Sequence, residues 1–325
     1  MVNGVVTLAD LDINFLNHKI RQQIERISLS DENQVIGICG EDSITVLAIA
    51  NHLARNWLPF TYDSALGDVH WCDPGEKGWL FENIETIIVD SLNIQPLSRH
   101  ILIVQSCDTF TLRGWDKMLK ILEDPLTEAS FILCFSDISA IPSTIRGRVN
   151  DFIILDSENG GVHVDYLISC GYTPLNAEAA FKASQGIASL AMVLAKNYDN
   201  AVKVQEFWKT SESDFLDISF TKILEEVVLL WEDSAKSSLR KDSNHLAKVV
   251  FNVWLKLREE YLINTLHKSM TSRTRGKILK NINAEIENIS KIKLLLRSNT
   301  AFSYLVSYYL YSRSKYLTSK DRSND

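Results

Sequence analysis

The chain has 325 residues, is 46% hydrophobic and 23% charged, and carries a formal net charge of −7. That length allows two or three domains with a large core, and the composition is that of an ordinary globular protein. No apolar run approaches the roughly 20 residues needed to cross a bilayer, and the opening MVNGVVTLADLD lacks the basic flank of a signal peptide, so the cytoplasm is the expected compartment.

The charge is uneven: residues 240–325 hold 17 Lys and Arg against 7 Asp and Glu, whereas residues 1–239 hold 17 against 34. A basic C-terminal part on an acidic body points to an anionic partner, to contact between the two parts, or to solvated helix faces. The five cysteines, Cys39, Cys72, Cys107, Cys134 and Cys170, include no C-x-x-C pair, and they read as apolar core thiols. No metal is expected.

In chain order, Leu11 to Arg26 has Leu16, Ile20 and Ile24 on one helical face. QVIGICG follows as a buried strand. After Gly40, EDSITVLAIANHLARNW suits a helix running off the strand's end, with Ser43 as its expected N-cap. Strand, glycine, loop and helix mark the place of a phosphate-binding loop. Such a loop needs G-x-x-x-x-G-K-S/T, because the glycines turn backbone N–H groups to the phosphates, the lysine reaches the β and γ groups, and the hydroxyl holds Mg²⁺. Only GEDSIT stands here. The second glycine is missing, Ile44 takes the lysine's place, and Glu41 and Asp42 put negative charge beside the site. Thr45 stands at the hydroxyl position. Neither nucleotide nor any other cofactor is expected to bind at Gly40, Ser43, Ile44 and Thr45.

Further on, the chain leads through Gln95 to Arg99 into a buried strand, ILIV. His70 and Cys72 have no second pair nearby to complete a metal site, and His70 reads as a strand histidine. An active ATPase needs Asp and Glu at the tip of the ILIV strand, one for Mg²⁺ and one for the attacking water; Gln105 and Ser106 stand there. Asp108 reads as a cap for the next helix, WDKMLKILED, which places Trp115, Met118, Leu119 and Leu122 at helical spacing before Pro125. FILCF is another buried strand and ends in Ser136 and Asp137. IPSTIRGR then carries Arg146 and Arg148 beyond a turn, and DFIIL is one more strand.

An apolar strand with a polar tip, a helix ending in LEDP, a second such strand and then IPSTIRGR form an order that resembles the AAA+ subunits of DNA polymerase clamp loaders. Within them it looks most like the bacterial delta-prime subunit. The family pattern is a strand ending in Asp-Glu, a helix ending in Leu-Glu-Glu-Pro, a sensor strand and Ile-Pro-x-Thr-Ile-x-Ser-Arg-Cys. Many relatives carry a four-cysteine zinc module, which this chain lacks. The resemblance implies that Arg148 reaches across a subunit interface to the phosphates of a neighbour's ATP, although Gly147 and Val149 replace its usual neighbours. Arg146 is the alternative finger if the loop is offset, and a plain surface arginine is the other reading. The residues after SENGG resemble the AAA+ helical lid, whose second-sensor arginine falls near Ser189.

From Asp199 onward the chain reads as helical, with apolar stripes at Leu246, Val249, Val250, Val253, Trp254 and Leu257, and at Ile278, Leu279, Ile282, Ile286 and Ile289. These suit the collar by which clamp-loader subunits assemble. The expected fold is α/β plus all-α: a parallel-sheet AAA+ domain over 1–156, a lid over 157–198 and a helical collar over 199–325. The expected function is a subunit of the DNA polymerase III clamp loader without ATPase activity of its own. Its partners would be gamma/tau-like ATPase and delta-like subunits, with the sliding clamp and primed DNA reached through the complex. An active P-loop ATPase and a DNA-binding protein acting through the basic C-terminal helices are the alternatives.

Overall fold

The computed structural model describes residues 13–30, 32–58, 68–74, 78–124, 128–155, 164–213, 219–235, 243–269, 275–296 and 302–321. The chain divides into two compact units, Met1–Lys196 and Asn197–Asp325, so the helices expected to form a lid fall in the same unit as the sheet. The linker SENGG, Pro125 and Leu11 lie outside the described residues.

The first unit is built on five parallel strands, β1 (Val35–Cys39), β2 (Val69–Cys72), β3 (His100–Val104), β4 (Ala129–Phe135) and β5 (Asp151–Ile154), in the order β2-β3-β4-β1-β5. In β3 and β4 every residue is buried, not every second one. Both faces of the sheet are therefore covered there, which is why these strands read as unbroken apolar runs. At Gly37 an added Cβ would come within 2.6 Å of the Phe152 ring, so the β1–β5 pairing requires glycine at that position.

Helix α1 (His18–Ser28) starts later than its apolar pattern suggests, because the Asn17 side chain accepts from the Ile20 N–H and sets the N-terminus; Ile13–Phe15 forms a separate 3-10 turn. Gln23 fixes α1 to β5 by donating to the Asp151 carboxylate and the Phe152 carbonyl, both at 2.9 Å. Helix α2 (Ser43–Trp57) leaves the end of β1 and packs on β1, β3 and β4. Phe81–Ile84, Glu85–Val89 and Asp90–Leu92 run on as one helical stretch, α3, whose middle piece is a π-turn. Next come α4 (Leu112–Glu123) and the single turn α5 (Ser143–Arg146). Trp115, Met118 and Ile145 from these helices close over Leu102, Val104, Phe131 and Leu133 of the sheet. Helices α6 (Val164–Ser169), α7 (Pro174–Ser184) and α8 (Ala188–Leu194) complete the unit.

The second unit is helical: α9 (Tyr198–Lys209), α10 (Ser219–Ala235), α11 (Ser243–Ser269), α12 (Arg275–Leu296) and α13 (Phe302–Asp321). Val249, Val250, Val253, Trp254, Ile282 and Ile289 of the two expected stripes are buried, while the side chains of Leu246 and Ile278 lie outside the description. Trp254 meets Phe220 and Tyr309 edge to face, at centroid distances of 4.9 and 5.5 Å. Within this core lies a polar network that the stripes do not announce. Arg258, 1% exposed, donates through Nε and Nη2 to the two oxygens of Glu285 at 2.9 and 3.3 Å and through Nη1 to the carbonyls of Ser211 and Ser213. Arg313 and the Tyr309 hydroxyl also converge on Glu285, at 3.5 and 2.9 Å. Among the described residues no helix is long and apolar enough to cross a membrane.

Candidate functional site

In a parallel sheet the strand ends that carry chemistry lie on one edge, and β3, β4 and β1 are neighbours here. Gly40 after β1, Gln105 to Asp108 after β3, and Ser136 after β4 therefore meet at the carboxyl edge. The Gly40 N–H donates to the Phe135 carbonyl at 3.0 Å, and the Gln105 N–H to that of Cys72 at 2.9 Å.

The cap of α2 is Asp42, not Ser43. The physical reason lies in the acceptors: a carboxylate offers two oxygens, and Asp42 uses both. Its Oδ1 accepts from the N–H groups of Ile44 and Thr45 at 3.1 and 3.3 Å, and its Oδ2 accepts from the Thr45 hydroxyl at 2.7 Å. Thr45, 1% exposed, is thus committed to Asp42. Ser189, in the first turn of α8, supplies the remaining contacts, its N–H to Oδ2 at 3.0 Å and its hydroxyl to Oδ1 at 2.9 Å. Ile44 is a buried core residue.

At the tip of β3, Gln105 is 4% exposed, its carbonyl accepts from the Trp79 indole at 2.6 Å, and its Oε1 is buried without a protein partner. Ser106 holds a left-handed backbone with φ of 52°, unusual for a residue with a side chain. Asp108 does not cap α4. Thr111 does, accepting from the Gly114 N–H at 3.1 Å, while Asp108 accepts from the Ser136 hydroxyl at 2.6 Å and joins the tips of β3 and β4.

Arg148 lies at the opposite edge. The Asn150 N–H donates to the carbonyl of Val35, the first residue of β1, at 2.8 Å, so the chain from Arg148 enters β5 beside the amino end of β1. Five residues of β1 separate this edge from Gly40, about 16 Å at the usual rise of a strand. The side chain of Arg148 is 50% exposed and forms an ion pair with Glu123, the last residue of α4. Arg146, at the end of α5, is exposed.

His70 on β2 and His100 on β3 share a hydrogen bond of 3.0 Å between Nε2 and Nδ1. Burial holds both below the usual histidine range; for His70 the neighbouring His100 adds to this, and for both the Asp68 charge opposes it. The Asp68 carboxylate anchors the turn before β3 by accepting from the N–H groups of Leu97 and Ser98 at 2.8 and 2.7 Å. Cys39, Cys72, Cys107 and Cys134 are buried and Cys170 is exposed; burial pushes the Cys39 thiol up to about 11 and that of Cys72 to about 12. Among the described residues no group of three or more His, Cys, Asp and Glu is placed to hold a metal ion.

The structure gathers Gly40, Gln105, Ser106 and Ser136 at one edge, and the closure of Asp42 on Ser189 is not legible in the sequence. The spacing of Asp42 and Thr45 carries a cap signal; nothing local points to a residue 147 positions away. Nor is the Glu123 partner of Arg148 legible there.

Residues 62–157 match the family described as DNA polymerase III, delta subunit. A 95-residue stretch is 26% identical to Protein STICHEL-like 1 of Arabidopsis thaliana, covering 28% of this chain and 8% of that protein. Among solved structures, a DNA polymerase III gamma subunit-related protein of Thermotoga maritima superposes with a TM-score of 0.45 at 18% identity, over 91% of this chain and 99% of that one. A RuvB variant of Thermotoga maritima gives 0.45 at 15% identity, over 77% and 88% of the two chains.

Proposed function

From the match of residues 62–157 to the DNA polymerase III delta-subunit family we propose that the chain is a non-catalytic clamp-loader subunit of the delta-prime kind. It would help to load the sliding clamp on primed DNA while a neighbouring gamma/tau-like subunit turns over ATP. A delta-like subunit is a further partner, and the cytoplasm is the compartment that this role implies. The observation that carries the reading is the contrast between the two edges of the sheet. At the carboxyl edge the helix N–H groups that would meet a phosphate are bonded to Asp42, no lysine stands at Ile44, and Gln105 and Ser106 replace the metal-binding and water-activating carboxylates. At the amino edge Arg148 is exposed, too far from this chain's own loop to serve a phosphate there. An arginine so placed acts, if on any nucleotide, on a neighbour's.

In this reading Glu123 holds the Arg148 fork until the neighbour's phosphates compete for it, and the helical second unit is the assembly element. An arginine donated in trans to a transferring phosphoryl group contributes about 10³ to 10⁵ in rate. The test is to reconstitute the assembly with Arg148→Ala, Arg148→Lys and Arg146→Ala chains and to measure DNA-dependent ATPase and clamp loading. Arg148→Ala is expected to lower total ATPase partially, since other sites keep their own arginines, and clamp loading more severely. Lysine lacks the planar fork and is expected not to rescue it. Unchanged rates in both alanine variants would leave the chain a purely structural subunit.

A further inference from the structure

The carboxyl edge contains an anion of its own. We propose that the Asp42 carboxylate is a built-in substitute for a bound anion, holding helix α8 against the start of α2 so that the lid is closed without nucleotide. The contact joins residues 147 positions apart in one unit and is more than a helix cap. A cap needs only the Ile44 and Thr45 N–H groups, and Asn or Ser would serve it as well as Asp. The second carboxylate oxygen is what the cap does not use. It takes the Thr45 hydroxyl and the Ser189 N–H, while the Ser189 hydroxyl reaches across to the first oxygen. The donors Thr45 and Ser189 are 1% and 2% exposed while Asp42 is half-buried, so water competes poorly on the donors' side of the contact. Helix α8 packs chiefly on α7 and touches α2, and its residues Leu190, Ala191 and Leu194 are buried. Asp42 adds direction to that contact: five donors from α2 and α8 converge on one carboxylate, and a lid that moved away would leave the Ser189 N–H without its acceptor. The contact is a matter of geometry, its reading as a lid closed over a phosphate site rests on the AAA+ resemblance, and neither depends on the chain being a clamp-loader subunit.

Asp42→Asn separates latch from cap. Asparagine keeps one carbonyl oxygen for the α2 amides, but its Nδ2 cannot accept from the Ser189 N–H. Amide hydrogen exchange of the full-length chain is measured for wild type, Asp42→Asn and Ser189→Ala, each with and without millimolar Mg-ATP. The amides of residues 188–195 are expected to exchange about tenfold faster in Asp42→Asn and roughly threefold faster in Ser189→Ala. Those of β3 and of Val249 to Trp254 are expected to keep their protection. Wild-type rates are expected to be the same with and without Mg-ATP. Unchanged lid protection in both variants overturns the proposal, as does a wild-type lid that gains protection when Mg-ATP is added. If Asp42→Asn does not fold, Ser189→Ala decides alone, since it removes a single hydroxyl.

Discussion

Asp42 in the first unit and Glu285 in the second each gather several donors, and the two carboxylates differ in what surrounds them. Asp42 meets only neutral donors: two backbone amides of its own helix, one threonine hydroxyl, and the amide and hydroxyl of a serine far along the chain. Glu285 meets two guanidiniums, Arg258 and Arg313, which are 1% and 5% exposed at their side chains, together with the Tyr309 hydroxyl. Burial and the Glu285 charge both push that hydroxyl well above the usual tyrosine range. A carboxylate held by neutral dipoles can be replaced by a neutral isostere at the cost of one or two hydrogen bonds. One that compensates two buried cations cannot.

That difference sets the order of expected effects. Glu285→Gln leaves two buried guanidiniums facing a neutral amide, and urea unfolding of the full chain is expected to show a loss of about 3 to 5 kcal/mol. A loss under about 1 kcal/mol would mean that water reaches the network. Asp42→Ala removes the cap and the contact with Ser189 but strands no cation, so the same measurement is expected to give about 1 to 3 kcal/mol. If it exceeded the Glu285 effect, the comparison would be inverted.

The histidine pair on β2 and β3 gives a third case, in which the charge is absent until acid supplies it. Both rings are held below the usual value of about 6.5 by burial. As pH falls through that value, the unfolded chain takes up protons that the folded chain resists, so stability falls. The midpoint of thermal unfolding is therefore expected to drop between about pH 7.5 and about pH 5.5, the range around the ordinary histidine value, and the drop is expected to be smaller in His70→Gln. Equal pH dependence in the two chains would show that the pair is not the sensor. Smallest is Arg148→Ala: its ion pair with Glu123 is exposed, and stability is expected to change by no more than about 0.5 kcal/mol. A larger loss would mark Arg148 as a structural residue and weaken the reading of it as a finger.

The strands were legible because β1, β3 and β4 are buried on both faces and so appear as apolar runs, and the edge at which Gly40, Gln105 and Ser136 gather follows from their parallel order. Caps were less so. Ser43 and Asp42 are adjacent residues with similar cap preference, and only the Ser189 contact gives the larger side chain the task. Asp108 looked like a cap because it precedes a helix, yet Thr111 is nearer to the helix start and Ser136 was available across the sheet. In the second unit, Arg258 and Arg313 counted toward a basic surface when taken as letters. Their burial depends on Glu285 lying on another helix, a pairing that no local pattern carries.

The position of β1 has a consequence for how the chain is made. Among the described strands it is the first in sequence, yet both of its partners, β4 and β5, come last, with Ile36 opposite Ile132 and Asp151. Ribosomes add about 5 to 20 residues per second, so on the order of 5 to 20 s pass between the synthesis of β1 and that of its first partner. During that interval VIGIC has no sheet to join, and α2 cannot bury its apolar face on β3 and β4. Until β4 and β5 are made, the apolar residues of β1 stay without their sheet partners, and the sheet closes around this strand only after Ile154 has been added.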